Sequence, residues 1–327
     1  MDKNKWYKIV IKREDEAAVD DVIQNGLRPV AAAHEHHLPH HFFNRSYDGS
    51  RNFVEWYIHA DVNETLLKQL YTQLDTCLKG RVDYPSLSEF NETEHFFGSA
   101  GDLYLATYYS QMNHLAFHIL EKANGEYPKK LDAALDMMII GADCAYDTIQ
   151  RGYLSYCSHV NGFFTRWKNP QKIEETFFGK YQKLRPYLHA KVQRLLEDCG
   201  GDEAYIHYRN VVLSFKKTLT DAFKNDKITV TNIESGDETS QGYRDFLENS
   251  PFHREIMNNH AFLHYMNRDP VFLSGRLLTI FMYLFLRRIG IKHKDRYMLC
   301  YYIYRAVEEL FDLDSLDLIK SFAEKGD

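Results

Sequence analysis

Three polar side chains stand at helical spacing late in the chain. In Phe262-Leu263-His264-Tyr265-Met266-Asn267-Arg268-Asp269-Pro270, residues His264, Asn267 and Arg268 fall at i, i+3 and i+4, so a helix would place them on one face. A neutral imidazole accepts a proton near neutral pH, and a guanidinium holds a carboxylate through two parallel hydrogen bonds. Three polar groups converging there between apolar flanks suggest a polar pocket against a buried wall. A helix-end hydrogen-bond network ahead of Pro270 accounts for the same spacing equally well. A second candidate is Arg45 in Phe42-Phe43-Asn44-Arg45-Ser46-Tyr47-Asp48-Gly49, where it ends an apolar strand just before a turn. There it can clamp a carboxylate in a cleft or pair with an acid at a strand edge, and edge pairing is the plainer of the two.

Other clusters carry less. His34-Glu35-His36-His37-Leu38-Pro39-His40-His41 is dense in imidazole, but consecutive side chains point apart and no cysteine is near, so an exposed connection is expected and no metal site. Arg287, Arg288, Lys292, Lys294 and Arg296 straddle Gly290 and read as a solvated turn in preference to a docking patch for acidic peptides. No P-loop, dinucleotide fingerprint, G-x-S-x-G elbow or H-E-x-x-H is found, which removes the main sequence support for nucleotide hydrolysis, nicotinamide chemistry and zincin proteolysis.

The elements that must position these residues follow from hydrophobic period. Trp6–Ile11, His41–Arg45 and Phe53–Ile58 are aromatic and β-branched and predict strands. Helical period predicts a helix between Asp15 and His34, broken at Gly26 and Pro29, and another over 63–78. From Ser99 onward helices are predicted at about 100–123, 130–152, 171–198, 202–224, 243–267, 271–289 and 294–311. A polar loop is expected at about 225–242, with a short strand at Ile228-Thr229-Val230 left open. The expected fold is α+β: a small N-terminal mixed or antiparallel sheet with helices, then a largely α-helical region. The parts are residues 1–98 and 99–327, as two domains or one continuous one.

The chain has 327 residues, 44% hydrophobic and 26% charged, with net charge −6. This excludes disorder and gives no footprint for direct nucleic-acid binding. Five scattered cysteines without a C-x-x-C pair fit reduced thiols. No apolar stretch follows a basic start, so a cytoplasmic location is expected. The apolar run Leu277–Leu286 reads as a buried helix too short to span a bilayer, and no membrane is expected as a partner.

Taken in order, the N-terminal Trp6-Tyr7 strand, the Phe42-Phe43-Asn44-Arg45 segment with its Asp48-Gly49 turn, the Phe97-Gly98-Ser99 step into a long helix and the late His264–Asn267–Arg268 helix resemble a known family. It is the C-terminal domain of lantibiotic dehydratases, also found free-standing as thiopeptide-type bacteriocin biosynthesis proteins. The resemblance spans nearly the whole chain. It implies maturation of a ribosomally synthesised peptide without metal or organic cofactor. The leading chemistry is elimination of glutamate from glutamylated Ser or Thr, with a leader-bearing precursor peptide and a separate tRNA-dependent glutamylating protein as partners. The alternatives are a pyridine-forming cycloaddition of two dehydroalanines, and an inactive leader-binding scaffold. For elimination, His264 would take the Cα proton, Arg45 and Arg268 would hold the glutamate, and Asn267, Tyr47 and Arg51 would bind substrate, with Arg45 and the late helix lining one cleft. Where the family shows an H-L-R-L-R-like strand, this chain has Asn52-Phe53-Val54-Glu55-Trp56, with Arg51 displaced. Monomer or homodimer is left open.

Overall fold

The computed structural model describes residues 5–13, 17–38, 40–47, 52–79, 82–90, 98–229 and 248–322. Arg51, the Asp48-Gly49 turn, Phe97 and most of the expected 225–242 loop lie outside them. The described chain is α+β, with an N-terminal antiparallel sheet followed by a mostly helical region. It forms two compact units, one from Met1–Lys130 with Leu284–Gly290 and one from Leu131–Tyr283 with Ile291–Asp327.

In the first unit, β1 (Lys5–Arg13), β2 (His41–Tyr47), β3 (Asn52–His59) and β4 (Ser86–Glu89) order as β2-β3-β1-β4. All pairs are antiparallel, with Ile9 opposite Trp56, Arg45 opposite Val54 and Phe42 opposite Tyr57. The last pair stacks at 4.9 Å and gathers Phe90 at 4.8 Å and Trp6 at 5.0 Å from Phe42, an aromatic cluster that buries this face of the strands. Leu66, Leu70, Leu74 and Leu78 form the buried stripe of α3 (Glu64–Leu78), which Asn63 caps by accepting from Leu66 N at 2.8 Å.

The expected break at Gly26 and Pro29 is a correction. Helix α1 (Ala17–Asp21) passes through a π-helical segment (Val22–Leu27) into α2 (Arg28–Ala33) without interruption. Pro29 has no N–H to give, and Arg28 N reaches back to Ile23 O instead, so the wider turn absorbs the missing bond. Gly26 packs closely there: a Cβ would lie 2.9 Å from Leu78 Cδ2, so a larger residue would make that side chain shift.

Three of the predicted helices are divided. Helix α4 (Gly98–Gln111) stops at Met112 and α5 (Asn113–Ala123) begins at Asn113. Helix α6 (Tyr127–Tyr146) ends before Asp147, whose φ is +69°, and α7 (Ile149–Phe164) follows. The remaining helices are α8 (Pro170–Asp198), α9 (Glu203–Lys224), α10 (Pro251–Asn258), α11 (His260–Arg268), α12 (Pro270–Arg288), α13 (His293–Phe311) and α14 (Ser315–Lys320). Asn259 separates α10 from α11, because its side chain accepts from Phe262 N at 2.9 Å while its amide donates to Ile319 O at 2.7 Å. Helix α12 is long and apolar enough to cross a membrane, yet 61% of its apolar window is buried, as in a core helix.

The second unit is organised on α7 against α13. Tyr153, Tyr156, Cys157 and Val160 meet Cys300, Ile303, Ala306 and Val307, all buried. Helix α8 joins α13 through Tyr181, whose hydroxyl donates to Glu309 at 2.8 Å, and joins α6 through the buried Lys191, paired with Asp136 and with Asp132 at 3.1 Å.

Candidate functional site

Arg45 lies near the end of edge strand β2, and its side chain is 10% exposed. Its Nη2 donates to Asp20 Oδ1 at 2.5 Å and its Nε to Arg288 O at 2.5 Å. Lys130, at the start of α6, pairs with the other oxygen of Asp20. One carboxylate thus serves two cations. Gly290 closes the cluster: its φ is +87°, and a Cβ there would stand 3.1 Å from Arg45 Nη1 and 3.3 Å from Lys130 Nζ. Gly290→Ala is expected to lose about 1–2 kcal/mol of stability through the left-handed backbone and the crowding, read as a lower urea midpoint.

Arg288 corrects the reading of its neighbourhood as a solvated turn. Arg287, Lys292 and Lys294 are exposed, but Arg288 is fully buried. Its Nε donates to Phe43 O at 2.7 Å, Nη1 to Tyr109 O at 3.0 Å and Nη2 to Asn113 Oδ1 at 2.6 Å. The guanidinium carbon lies 4.4 Å from the Tyr109 ring centre, 4.7 Å from that of Phe43 and 5.2 Å from that of Phe285. A buried charge is tolerated here because oxygen acceptors and ring faces replace its hydration.

His41 belongs to this core, not to the exposed connection expected for the whole histidine run; His36, His37 and His40 are exposed. Its Nδ1 accepts from Trp56 Nε1 at 3.1 Å, and its carbonyl accepts from Asn113. Burial, then the Arg288 charge, hold the imidazole down at about 4. In the second unit burial holds His253 at about 4 as well. Both groups bind a proton on unfolding before they do so folded. Their contribution is therefore intact above about pH 6.5, falls as pH drops toward 4, and is flat below that. Urea midpoints measured across this range should decline, and His41→Gln should make the decline shallower. Among the described residues no three His, Cys, Asp or Glu side chains are grouped to hold a metal ion.

His264, Asn267 and Arg268 share one exposed face of α11. The opposite face is anchored by Phe262 and Tyr265, each 5.1 Å from the Phe322 ring. Tyr47, the last residue of β2, is 65% exposed. Thus the late triplet is assembled on one helix of the second unit, while Arg45 and Tyr47 belong to the sheet of the first.

A further constellation in the second unit was not singled out from the sequence. Ser158 and His159 of α7, His253 of α10, Tyr283 of α12, and His293, Arg296 and Tyr297 of α13 come together. His159 lies 4.5 Å from Tyr283 and 6.0 Å from Tyr297 by ring centres, and Arg296 Cζ lies 4.6 Å and 5.3 Å from the same two rings. The Tyr297 hydroxyl is 3.2 Å from His293 Nε2 and Ser158 Oγ is 3.0 Å from His253 Nε2. The signal was available, since His293, Arg296 and Tyr297 repeat the i, i+3, i+4 spacing that drew attention to α11.

The chain belongs to the family described as "Lantibiotic biosynthesis dehydratase C-term", which it matches over residues 6–307. Its fold is similar to that of TsrL, with a TM-score of 0.80 at 20% identity over 98% of this chain and 99% of the other. It is also similar to TbtD, described as a pyridine synthase from thiomuracin biosynthesis, with a TM-score of 0.69 at 14% identity over 95% of this chain and all of the other. The tRNA dependent lantibiotic dehydratase MibB from Microbispora sp. 107891 aligns at a TM-score of 0.44 and 14% identity, over 94% of this chain and 28% of that one. No curated protein sequence matches the chain. Membership of that family makes this an enzyme-type domain of ribosomal-peptide maturation.

Proposed function

We propose that the chain eliminates glutamate from glutamylated Ser or Thr of a leader-bearing precursor peptide, acting after a separate tRNA-dependent glutamylating protein and without itself touching nucleic acid. The observation that carries this reading is family membership over residues 6–307 together with a helix face that presents His264, Asn267 and Arg268 side by side. His264 takes the Cα proton of the acylated residue. The electron pair of that C–H bond becomes the Cα–Cβ double bond, and the Cβ–O bond breaks with its pair leaving on glutamate. Arg268 holds the departing carboxylate and Asn267 the peptide backbone. None of these steps calls for a metal or organic cofactor.

A second reading is favoured by one observation. The clamp role expected for Arg45 asks its guanidinium to exchange Asp20 for a glutamate, although Asp20 and the Arg288 carbonyl already occupy it. Pyridine formation from two dehydroalanines needs no glutamate clamp. The two readings separate when the protein is incubated with either substrate and the products are weighed. Elimination yields a dehydroamino acid from the glutamylated precursor. Ring formation leaves that precursor intact and expels the leader from a precursor carrying two dehydroalanines.

A further inference from the structure

Helix α5 carries two imidazoles that the proposed chemistry leaves unused. His114 and His118 stand at i and i+4, and their rings lie nearly parallel, with an interplanar angle of 20° and centres 6.4 Å apart. His114 is exposed and His118 half-buried, so the pair borders solvent. The backbone beneath them is fixed. Leu115, Ala116, Ile119 and Leu120 are buried on the other side of the helix. The Phe117 ring lies 5.5 Å from that of Phe43, and the Phe117 carbonyl accepts from Gln24 Nε2 at 2.9 Å. What is left to set is the side-chain torsions of the two histidines. A carboxylate lies on the same stripe. Glu121, three residues beyond His118, is gripped by Arg28 at 3.0 Å. The Arg28 hydrogen bond and charge, and after them the charge of His118, hold the Glu121 carboxyl below its usual range.

Two imidazoles one helical turn apart on a rigid helix are a chelating pair. Each ring has two nitrogens, so one can coordinate while the other keeps a hydrogen bond. An ion about 2.0–2.1 Å from one nitrogen of each ring draws the ring centres to about 5 Å. From 6.4 Å this is a closure of roughly 1 Å, which side-chain rotation supplies without moving the helix. Neutral nitrogen donors suit borderline transition ions and not Mg²⁺ or Ca²⁺, which take oxygen. Among the described residues no third His, Cys, Asp or Glu is grouped with the pair, so the ion keeps positions for water or an outside donor. We propose that His114 and His118 chelate a divalent transition ion on the outer face of α5, Cu²⁺ in preference to Zn²⁺, with Glu121 as the carboxylate beside the site. Glu121 then offsets part of the charge of the ion. The site shares no residue with those assigned to elimination, and it is decided by binding, so its failure and that of the elimination reading are distinguishable.

The test is titration of the full chain, free of any affinity tag, with CuCl₂, ZnCl₂ and MgCl₂. It is followed by calorimetry and by imidazole resonances in NMR. The expected result is saturable Cu²⁺ binding, weaker Zn²⁺ binding that competes for the same site, and no Mg²⁺ binding. Cu²⁺ is paramagnetic, so less than one equivalent should broaden the His114 and His118 signals before those of the exposed His36, His37 and His40. His114→Gln and His118→Gln are each expected to weaken Cu²⁺ binding by about tenfold or more, since even the outer partners of a coordinating imidazole are worth about 10–100-fold. Glutamine is a better helix former than histidine, so both variants should keep α5. The broadening needs no variant, so a poorly folding substitution leaves the test intact. Absence of saturable Cu²⁺ binding, broadening that begins at other histidines, affinity unchanged in folded His114→Gln and His118→Gln, or equal binding of Mg²⁺ would each overturn the assignment.

Discussion

Arg288→Met is expected to lower the stability of the chain by about 3–5 kcal/mol. The side chain is fully buried, and its donors satisfy the Phe43 and Tyr109 carbonyls and the Asn113 side chain. Methionine fills much of the volume and lies well against aromatic rings, but it returns no donor, so three acceptors are stranded away from water. Asn113 also donates to the His41 carbonyl, so the loss reaches the start of β2. Arg288→Lys should recover only part of it, because one ammonium cannot span three diverging acceptors. Urea denaturation monitored by tryptophan fluorescence reports the change, since Trp56 donates to His41 in the same network. A midpoint within error of the unaltered protein would show that the network contributes nothing net.

His264→Ala is expected to slow conversion of glutamylated precursor by about 10²–10⁴-fold while leaving the fold intact. The side chain is exposed on α11, and the packing of that helix rests on Phe262 and Tyr265. Truncation therefore removes a base without opening a cavity. Glutamylated precursor should accumulate in the mass spectrum, since the partner still installs glutamate. Arg268→Gln should retard glutamate release, with Arg268→Lys in between. Full conversion by folded His264→Ala would remove the residue from the proposed chemistry.

Much of the fold was legible because period survives tertiary packing. The expectation of 202–224 for α9 meets an observed Glu203–Lys224, and 294–311 meets His293–Phe311 for α13. What was not legible depends on partners distant in sequence. Strand β4 is Ser86-Leu87-Ser88-Glu89, polar and short, and is a strand because β1 offers it an edge. The stop at Met112 precedes an asparagine turned toward His41 and Arg288, and the stop at Asn259 serves carbonyls some sixty residues on. Neither break carries the Gly or Pro that sequence reasoning looks for. The candidate residues divide in the same way. Spacing alone put His264, Asn267 and Arg268 on one face. Nothing local distinguishes Arg288, which faces inward, from Arg287 beside it, which faces water. Arg45 was found by its strand-end position, but its partner Asp20 comes from a helix whose acidic residues all look alike in sequence.

The most direct test of the proposed elimination uses a precursor glutamylated at a serine that carries deuterium on Cα. Incubation with the full chain should yield free glutamate and a dehydroalanine-containing peptide from which the deuterium is gone, with conversion slowed by the label in proportion to the C–H bond breaking in the rate-limiting step. Recovery of serine with its deuterium retained would mean ester hydrolysis, and an unchanged precursor would mean no action on the glutamylated residue. Either result would contradict elimination as the reaction of this protein.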